Sequence, residues 1–214
     1  MAKQNRSRRS VLAGFGAIAA AGALGPRSAA AQASSPASAP FTPALHAEDA
    51  WMSAVPGQHR VVVDITSADG VPDGLRFAGN LLTAHKSGYE VDEADVAIIV
   101  CLRHGATAYG YADAIWSKYG KTFDAKTTPP PSANPYNSGS RTQVADLAKR
   151  GVRFMICGVA SRGLAGRIAG QGGDADAVLK EFGGNLVPNG RIVPAGVIGV
   201  THAQERGFAL LYVG

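Results

Sequence analysis

The chain has 214 residues, 46% of them hydrophobic, and a formal net charge of +5. All five charged residues before residue 34 are basic, so residues 34–214 carry 16 basic and 16 acidic side chains and are formally neutral. A nucleic-acid-binding surface needs clustered positive charge, and a neutral chain without a basic run excludes that class. The length suits one domain with a substantial core, and two cysteines are too few for a disulfide scaffold.

The first 33 residues have the pattern of an export signal. Arg8 and Arg9 follow a polar, basic start, the run from Val11 to Leu24 is weakly apolar, and Ala31-Gln32-Ala33 offers a small-residue cleavage site. The paired arginines predict a twin-arginine signal peptide over 1–33 and therefore an exported, periplasmic protein. The alternative is an uncleaved membrane anchor, but the apolar run is shorter than the roughly 20 residues that span a bilayer. No membrane association is expected after cleavage.

A linker is predicted between this signal and the folded domain. Residues 34–58 are rich in proline, alanine and serine, a composition typical of a flexible tether. The folded domain is therefore expected to occupy 59–214.

Beyond the linker, strand and helix signals alternate. The run DVAIIVCL at 95–102 is apolar at every position from Val96, which predicts a strand covered on both faces. The prolines of 121–140 exclude regular structure there, and a loop of this length often covers a site. Strands are predicted at 60–66, 95–102, 152–157, 191–196 and 208–213. Helices are predicted from a cap at Asp73 to Gly88, at 104–120, from Ser138 or Ser140 to Gly151, and at about 164–169, 175–182 and 197–205.

The order of these elements predicts the fold class. Strands separated by helices favour parallel pairing with right-handed crossovers. We expect an α/β fold, a three-layer α/β/α sandwich on a sheet of about five mostly parallel strands. Ligands of such sheets gather outside the carboxyl ends of the strands. Cys157 ends the third predicted strand, Cys101, Arg103 and His104 stand at the end of the second, and Asp64 at the end of the first, so these groups are expected to converge.

Cys157 is the main candidate for chemistry. A cysteine just before a helix lies near unpaired backbone N–H groups and the positive end of the helix dipole, which favour the thiolate. Arg162 lies five residues further on, and His104 stands at the neighbouring strand end. A positive charge on either side chain would also lower the pKa of the Cys157 thiol. Such a thiolate can attack a sulfur donor and carry the transferred atom as a persulfide. The alternative is an inert cysteine in the core, since free cysteines are among the most buried residues.

The sequence leaves more than one role open for Cys101 and for His104. Cys101 lies inside a fully apolar run and is expected in the core, although a redox pair with Cys157 stays open in an oxidising periplasm. His104 could orient an anion or shuttle a proton, or it could cap the following helix. No metal and no cofactor are expected, because the remaining histidines show no pairing at ligand spacing. These are His46, His59, His85 and His202.

The C-terminal stretch resembles a known signature. IVPAGVIGVTHAQERGFALLYVG at 192–214 is similar to the end of the DsrE/DsrF-like sulfur-relay family, in which a strand ending in Val-Pro-Ala-Gly leads to a helix. A Gln, an acidic residue, a Gly and an aromatic then precede the final strand. Gln204, Gly207 and Phe208 fall in the corresponding places.

Two earlier segments carry the same resemblance. LAKRGVRFMICGVASRG at 147–163 resembles the family segment in which Gly-Val begins the strand carrying its cysteine, and Cys157 falls on that position. HRVVVDIT and the helix containing Asn80 resemble the family's opening, so the resemblance covers roughly 59–214.

The resemblance implies a three-layer α/β fold that assembles into homo-oligomers. It also implies sulfur relay as a persulfide on the strand-end cysteine, and thus a sulfurtransferase or sulfur carrier whose partners are a small sulfur donor or acceptor or a partner protein thiol. The alternative is a non-catalytic module that binds a small ligand or serves in assembly and whose cysteine is structural.

Overall fold

The computed structural model describes residues 41–137 and 143–214. The predicted signal peptide, the start of the predicted linker, and Ser138 and Ser140 lie outside the described residues. Within the described ranges, no helix combines the length and the apolar character needed to cross a bilayer.

The centre of the fold is a five-stranded sheet in the order β4-β3-β2-β1-β5, in which every neighbouring pair is parallel. This confirms the predicted α/β sandwich on a parallel sheet. The middle strand, β2, is buried at all of its positions, as its unbroken apolar run predicts. The strands are β1 (His59–Ile65), β2 (Val96–Leu102), β3 (Arg153–Cys157), β4 (Gly190–Val193) and β5 (Ala209–Val213).

Helices cover both faces of this sheet unequally. The helices are α1 (Ala50–Ser53), α2 (Val71–Tyr89), α3 (Asp113–Phe123), α4 (Val144–Lys149), α5 (Gly158–Ala169), α6 (Ala175–Gly184) and α7 (Gly196–Glu205). Short 3-10 turns occupy Ala47–Asp49, Glu93–Asp95 and His104–Gly110. Helices α2 to α6 pack on one face around the larger core, and α1 and α7 cover the other face around a smaller one.

Several helix bounds differ from the predicted ones. The helix predicted over 104–120 is broken into a 3-10 turn and α3, because Gly110 lies tight against Ile156 and Tyr111 forms a β-bridge with Leu186. Asp73 lies within the first turn of α2 and does not cap it. Helix α5 begins directly after Cys157, several residues earlier than predicted.

The second half of the predicted linker is part of the fold, which corrects the boundary placed at residue 58. Residues 42–214 form one compact unit, and Ala47–Ser53 is helical. Met52 and Val55 are buried in the smaller core, and Arg60 Nη2 donates to the Met52 carbonyl at 2.7 Å. The face that carries α7 has few other helices, so this segment supplies apolar cover that composition alone did not indicate.

The proline-rich loop packs on α3 and on the turn before it. Asn134 is buried, and its Nδ2 donates to the carbonyls of Tyr109 at 2.9 Å and Tyr111 at 2.8 Å. None of the loop residues that the structure describes lines the crevice at Cys157.

Candidate functional site

A small pocket opens at the carboxyl ends of the central strands. It has a volume of about 170 Å³ and lies where α5 and α7 begin. It brings together Cys157, His104 and Arg103, three of the strand-end groups that were expected to converge. The lining residues are Arg103, His104, Cys157, Val159, Ala160, Ala195, Gly196 and Val197.

Cys157 is both the last residue of β3 and the N-cap residue of α5, so the strand passes into the helix without a loop. The residue is 5% exposed, and it lies in the wall of the pocket. A Cβ on Gly158 would lie 2.6 Å from the Val193 carbonyl oxygen, so only glycine lets the helix start this close to β4. The thiol therefore stands beside the unpaired N–H groups of a helix start.

Hydrogen bonds from the larger core hold the backbone at Cys157. Ser161 Oγ donates to the Cys157 carbonyl at 2.8 Å, and the Tyr111 hydroxyl donates to Ser161 Oγ at 2.6 Å. Burial raises the pKa of Tyr111 well above its ordinary value, so the hydroxyl stays protonated and remains a donor. These two hydrogen bonds therefore hold the turn that carries the thiol in place.

Arg103 is the cation of this pocket. Its Nε and Nη2 donate to the two carboxylate oxygens of Asp64 at 2.8 and 2.9 Å, and the two side chains are 17% and 4% exposed. The hydrogen bond to Asp64 raises the pKa of Arg103, which keeps the guanidinium charged. The fork–fork geometry fixes its orientation at the pocket wall.

His104 has an uncommon backbone conformation. Its φ is +51°, in the left-handed region where residues other than glycine rarely lie, and its side chain is exposed. Arg103, not His104, is the cap residue of the following turn, and the His104 ring makes no hydrogen bond or ion pair with other residues of 41–137 or 143–214. The ring is therefore free to meet a ligand.

Arg162 does not belong to the pocket lining. It lies on α5, exposed to solvent, and the cation at the thiol pocket is Arg103 instead. The sequence signal for Arg103 was its position directly after the buried strand β2, with Asp64 at the end of the neighbouring strand β1.

Cys101 belongs to the core, as predicted. Burial, followed by the nearby Asp64 carboxylate, raises the pKa of Cys101 well above its ordinary value, so the thiol stays protonated. The register pairs Cys101 with Met155, which places Cys157 two residues further along. That offset separates the two Cα atoms by about 8 Å, beyond the roughly 7 Å limit for a disulfide, so a redox pair would need backbone movement.

No set of three or more His, Cys, Asp or Glu side chains comes together as metal ligands in the described ranges. Comparison with models of known protein families gave no match, and comparison with curated proteins gave none either. The resemblance to the DsrE/DsrF-like family therefore stays a prediction from the motifs.

Proposed function

We propose that the protein accepts and relays sulfur through a persulfide on Cys157. The observation that carries the proposal is the position of this thiol, at the start of α5 and in the wall of a pocket shared with Arg103 and His104. The helix start offers unpaired backbone N–H groups beside the sulfur, and the guanidinium of Arg103 lines the same pocket.

The reaction with an anionic donor such as thiosulfate balances without an external oxidant. The Cys157 thiolate attacks the outer sulfur of thiosulfate, a new S–S bond forms, and the old S–S bond breaks with its electron pair leaving on sulfite. The product is the Cys157 persulfide anion. A thiolate of a partner protein then attacks the terminal sulfur and takes it, and the Cys157 thiolate returns.

The pocket suits a small sulfur donor. Its volume of about 170 Å³ gives room for roughly five water molecules. Two nitrogens of Arg103, Nε and Nη2, are bound to Asp64, and in this proposal the remaining Nη1 donates to the anionic donor and to the departing sulfite. The half-exposed Val159 and Val197 stand at the mouth, where an apolar surface of a partner protein can dock.

Mass spectrometry of the folded protein tests the proposal. After exposure to thiosulfate or polysulfide, we expect a gain of one sulfur atom in the wild type and in Cys101→Ser, and no gain in Cys157→Ser. Cys101→Ser is the matched control because it removes the other thiol of the chain. The absence of any adduct on the wild type would rule the relay out.

The low exposure of Cys157 favours a second function, a binding or assembly module in which the cysteine is structural. That function predicts negligible alkylation of the native protein by iodoacetamide near neutral pH. Rapid labelling of Cys157, with Cys101 unlabelled, would count against it.

We also propose that the protein is exported through the twin-arginine pathway. A variant with Arg8→Lys and Arg9→Lys should accumulate as an uncleaved precursor in the cytoplasm. Normal processing of that variant would contradict this route.

Self-assembly is a further part of the proposal. Light scattering on the purified mature protein should give a mass of two or more protomers. A monomeric mass at high protein concentration would contradict the proposed self-assembly.

A further inference from the structure

A second pocket lies at the opposite end of the sheet from Cys157, where β3 and β4 begin. Its volume is about 310 Å³, at the lower end of the range for small-molecule sites. Helix α1 and the residues just after it form one side, and the first residues of the two strands form the other. The lining residues are Trp51, Ala54, Val55, Arg153, Asn189, Gly190 and Arg191.

Two arginines give this pocket its charge. The register pairs Met155 with Arg191, so Arg153, two residues before Met155, lies on the same face of the sheet as Arg191. No Asp or Glu lines the pocket, and neither guanidinium forms an ion pair with a carboxylate in the part of the chain that the structure describes. Two neighbouring cations without a counter-charge favour the entry of an anion, and the guanidinium fork matches a carboxylate or a phosphate.

The other wall is aromatic and apolar. The Arg191 guanidinium lies 5.5 Å from the centre of the Trp51 ring, and Val55 and Ala54 complete the wall. An indole face of this kind packs well against a flat ligand.

We propose that this pocket binds a small organic anion, a carboxylate or phosphate carried on a flat apolar group. The anion contacts Arg153 and Arg191, and the flat group packs on Trp51. The site does not depend on the sulfur chemistry of Cys157, because no residue is shared between the two pockets.

Calorimetric titration of the full protein with phenyl phosphate tests the site. We expect saturable binding that weakens by about tenfold to a hundredfold in Arg153→Gln and in Arg191→Gln, since each removes a charged hydrogen-bond donor. Arg167→Gln is the matched control, because Arg167 is exposed on α5 and lines neither pocket. Circular dichroism of each variant checks that it folds.

Two further ligands separate the two parts of the proposal. Phenol keeps the ring without the anion, inorganic phosphate keeps the anion without the ring, and both should bind at least about tenfold more weakly than phenyl phosphate. Trp51 is the remaining tryptophan in a Trp116→Phe variant. Phenyl phosphate should change the fluorescence of this variant, and the fluorescence titration should give the same Kd as calorimetry. Phenol binding as tightly as phenyl phosphate, an equal loss in Arg167→Gln, or no saturable heat would overturn the proposal. Inorganic phosphate binding as tightly would overturn the part assigned to Trp51.

Discussion

Replacement of Asp64 by asparagine should weaken the fold because it leaves Arg103 without its counter-charge. The carboxylate is 4% exposed and accepts two hydrogen bonds from a guanidinium that is 17% exposed. Breaking a fully buried pair costs about 3–5 kcal/mol, and partial access of water to Arg103 reduces this, so we expect a loss of about 2–4 kcal/mol. For a chain of this length that corresponds to a fall in Tm of roughly 5–15 °C.

Urea unfolding of four proteins measures this effect. These are the wild type, Asp64→Asn, Arg103→Met and the double variant. Because the double variant removes both charges, its loss should be smaller than the sum of the single losses by about 2 kcal/mol or more. Asp146→Asn serves as the control, since Asp146 is 61% exposed beside Lys149 and should cost about 0.5 kcal/mol or less. A loss for Asp64→Asn as small as that of the control, or additive single losses, would refute the reasoning.

Four further substitutions test the packing and the electrostatics by chemical denaturation. Gly158→Ala places a Cβ 2.6 Å from a backbone carbonyl of β4 and should cost about 1–3 kcal/mol, whereas Gly166→Ala, with open space on the same helix, should stabilise the fold by about 0.5–1 kcal/mol. Equal effects would contradict this account. Phe182→Ala removes a fully buried ring and should cost about 3–5 kcal/mol. The hydrogen bond from Arg150 lowers the pKa of Glu93, so its contribution is present above the unfolded pKa of about 4.3 and is lost as the pH falls through the lower folded value. Since Glu93 is 36% exposed, this loss is about 1 kcal/mol or less, and it should be absent in Glu93→Gln.

The sheet could be predicted because its strands carry their own signal. Strand β2 is apolar at every position, which only a strand covered on both faces tolerates. Leu75, Ala78 and Leu82 recur at three- and four-residue spacing, as the apolar face of a helix does, and all three are buried in α2. Both features are local in sequence and are set by burial, which is why they are readable without the structure.

Features that depend on a distant neighbour were missed. The prolines and alanines of 34–58 suggested a linker, but Met52 is buried because the α7 face of the sheet needs cover. The break between the 3-10 turn and α3 depends on contact between Gly110 and Ile156, which are far apart in sequence. Neither contact has a periodic pattern that sequence could show.

Whether Arg162 or Arg103 lies at the Cys157 pocket also depends on contacts between distant parts of the chain. Arg162 is close to Cys157 in sequence, but α5 begins at Gly158 and turns Arg162 out to solvent. Arg103 is 54 residues from Cys157 in the sequence and reaches the pocket because β2 and β3 are adjacent in the sheet. The sequence placed Arg103 at the same edge of the sheet as Cys157 but did not give the strand order, so it could not show that Arg103, rather than Arg162, lines the pocket.

The two pockets lie at opposite ends of β3, and α7 packs on the strand between them. Gly199 lies so close to the sheet that a Cβ there would be 2.3 Å from Met155 Sδ, so α7 rests directly on the middle of β3. The start of α7 lines the pocket beside Cys157, and α1 with the residues after it lines the pocket beside Arg153. The four residue steps between them span about 13 Å, so a small ligand in one pocket cannot touch the other. For that reason Cys157→Ser should leave the affinity for phenyl phosphate unchanged.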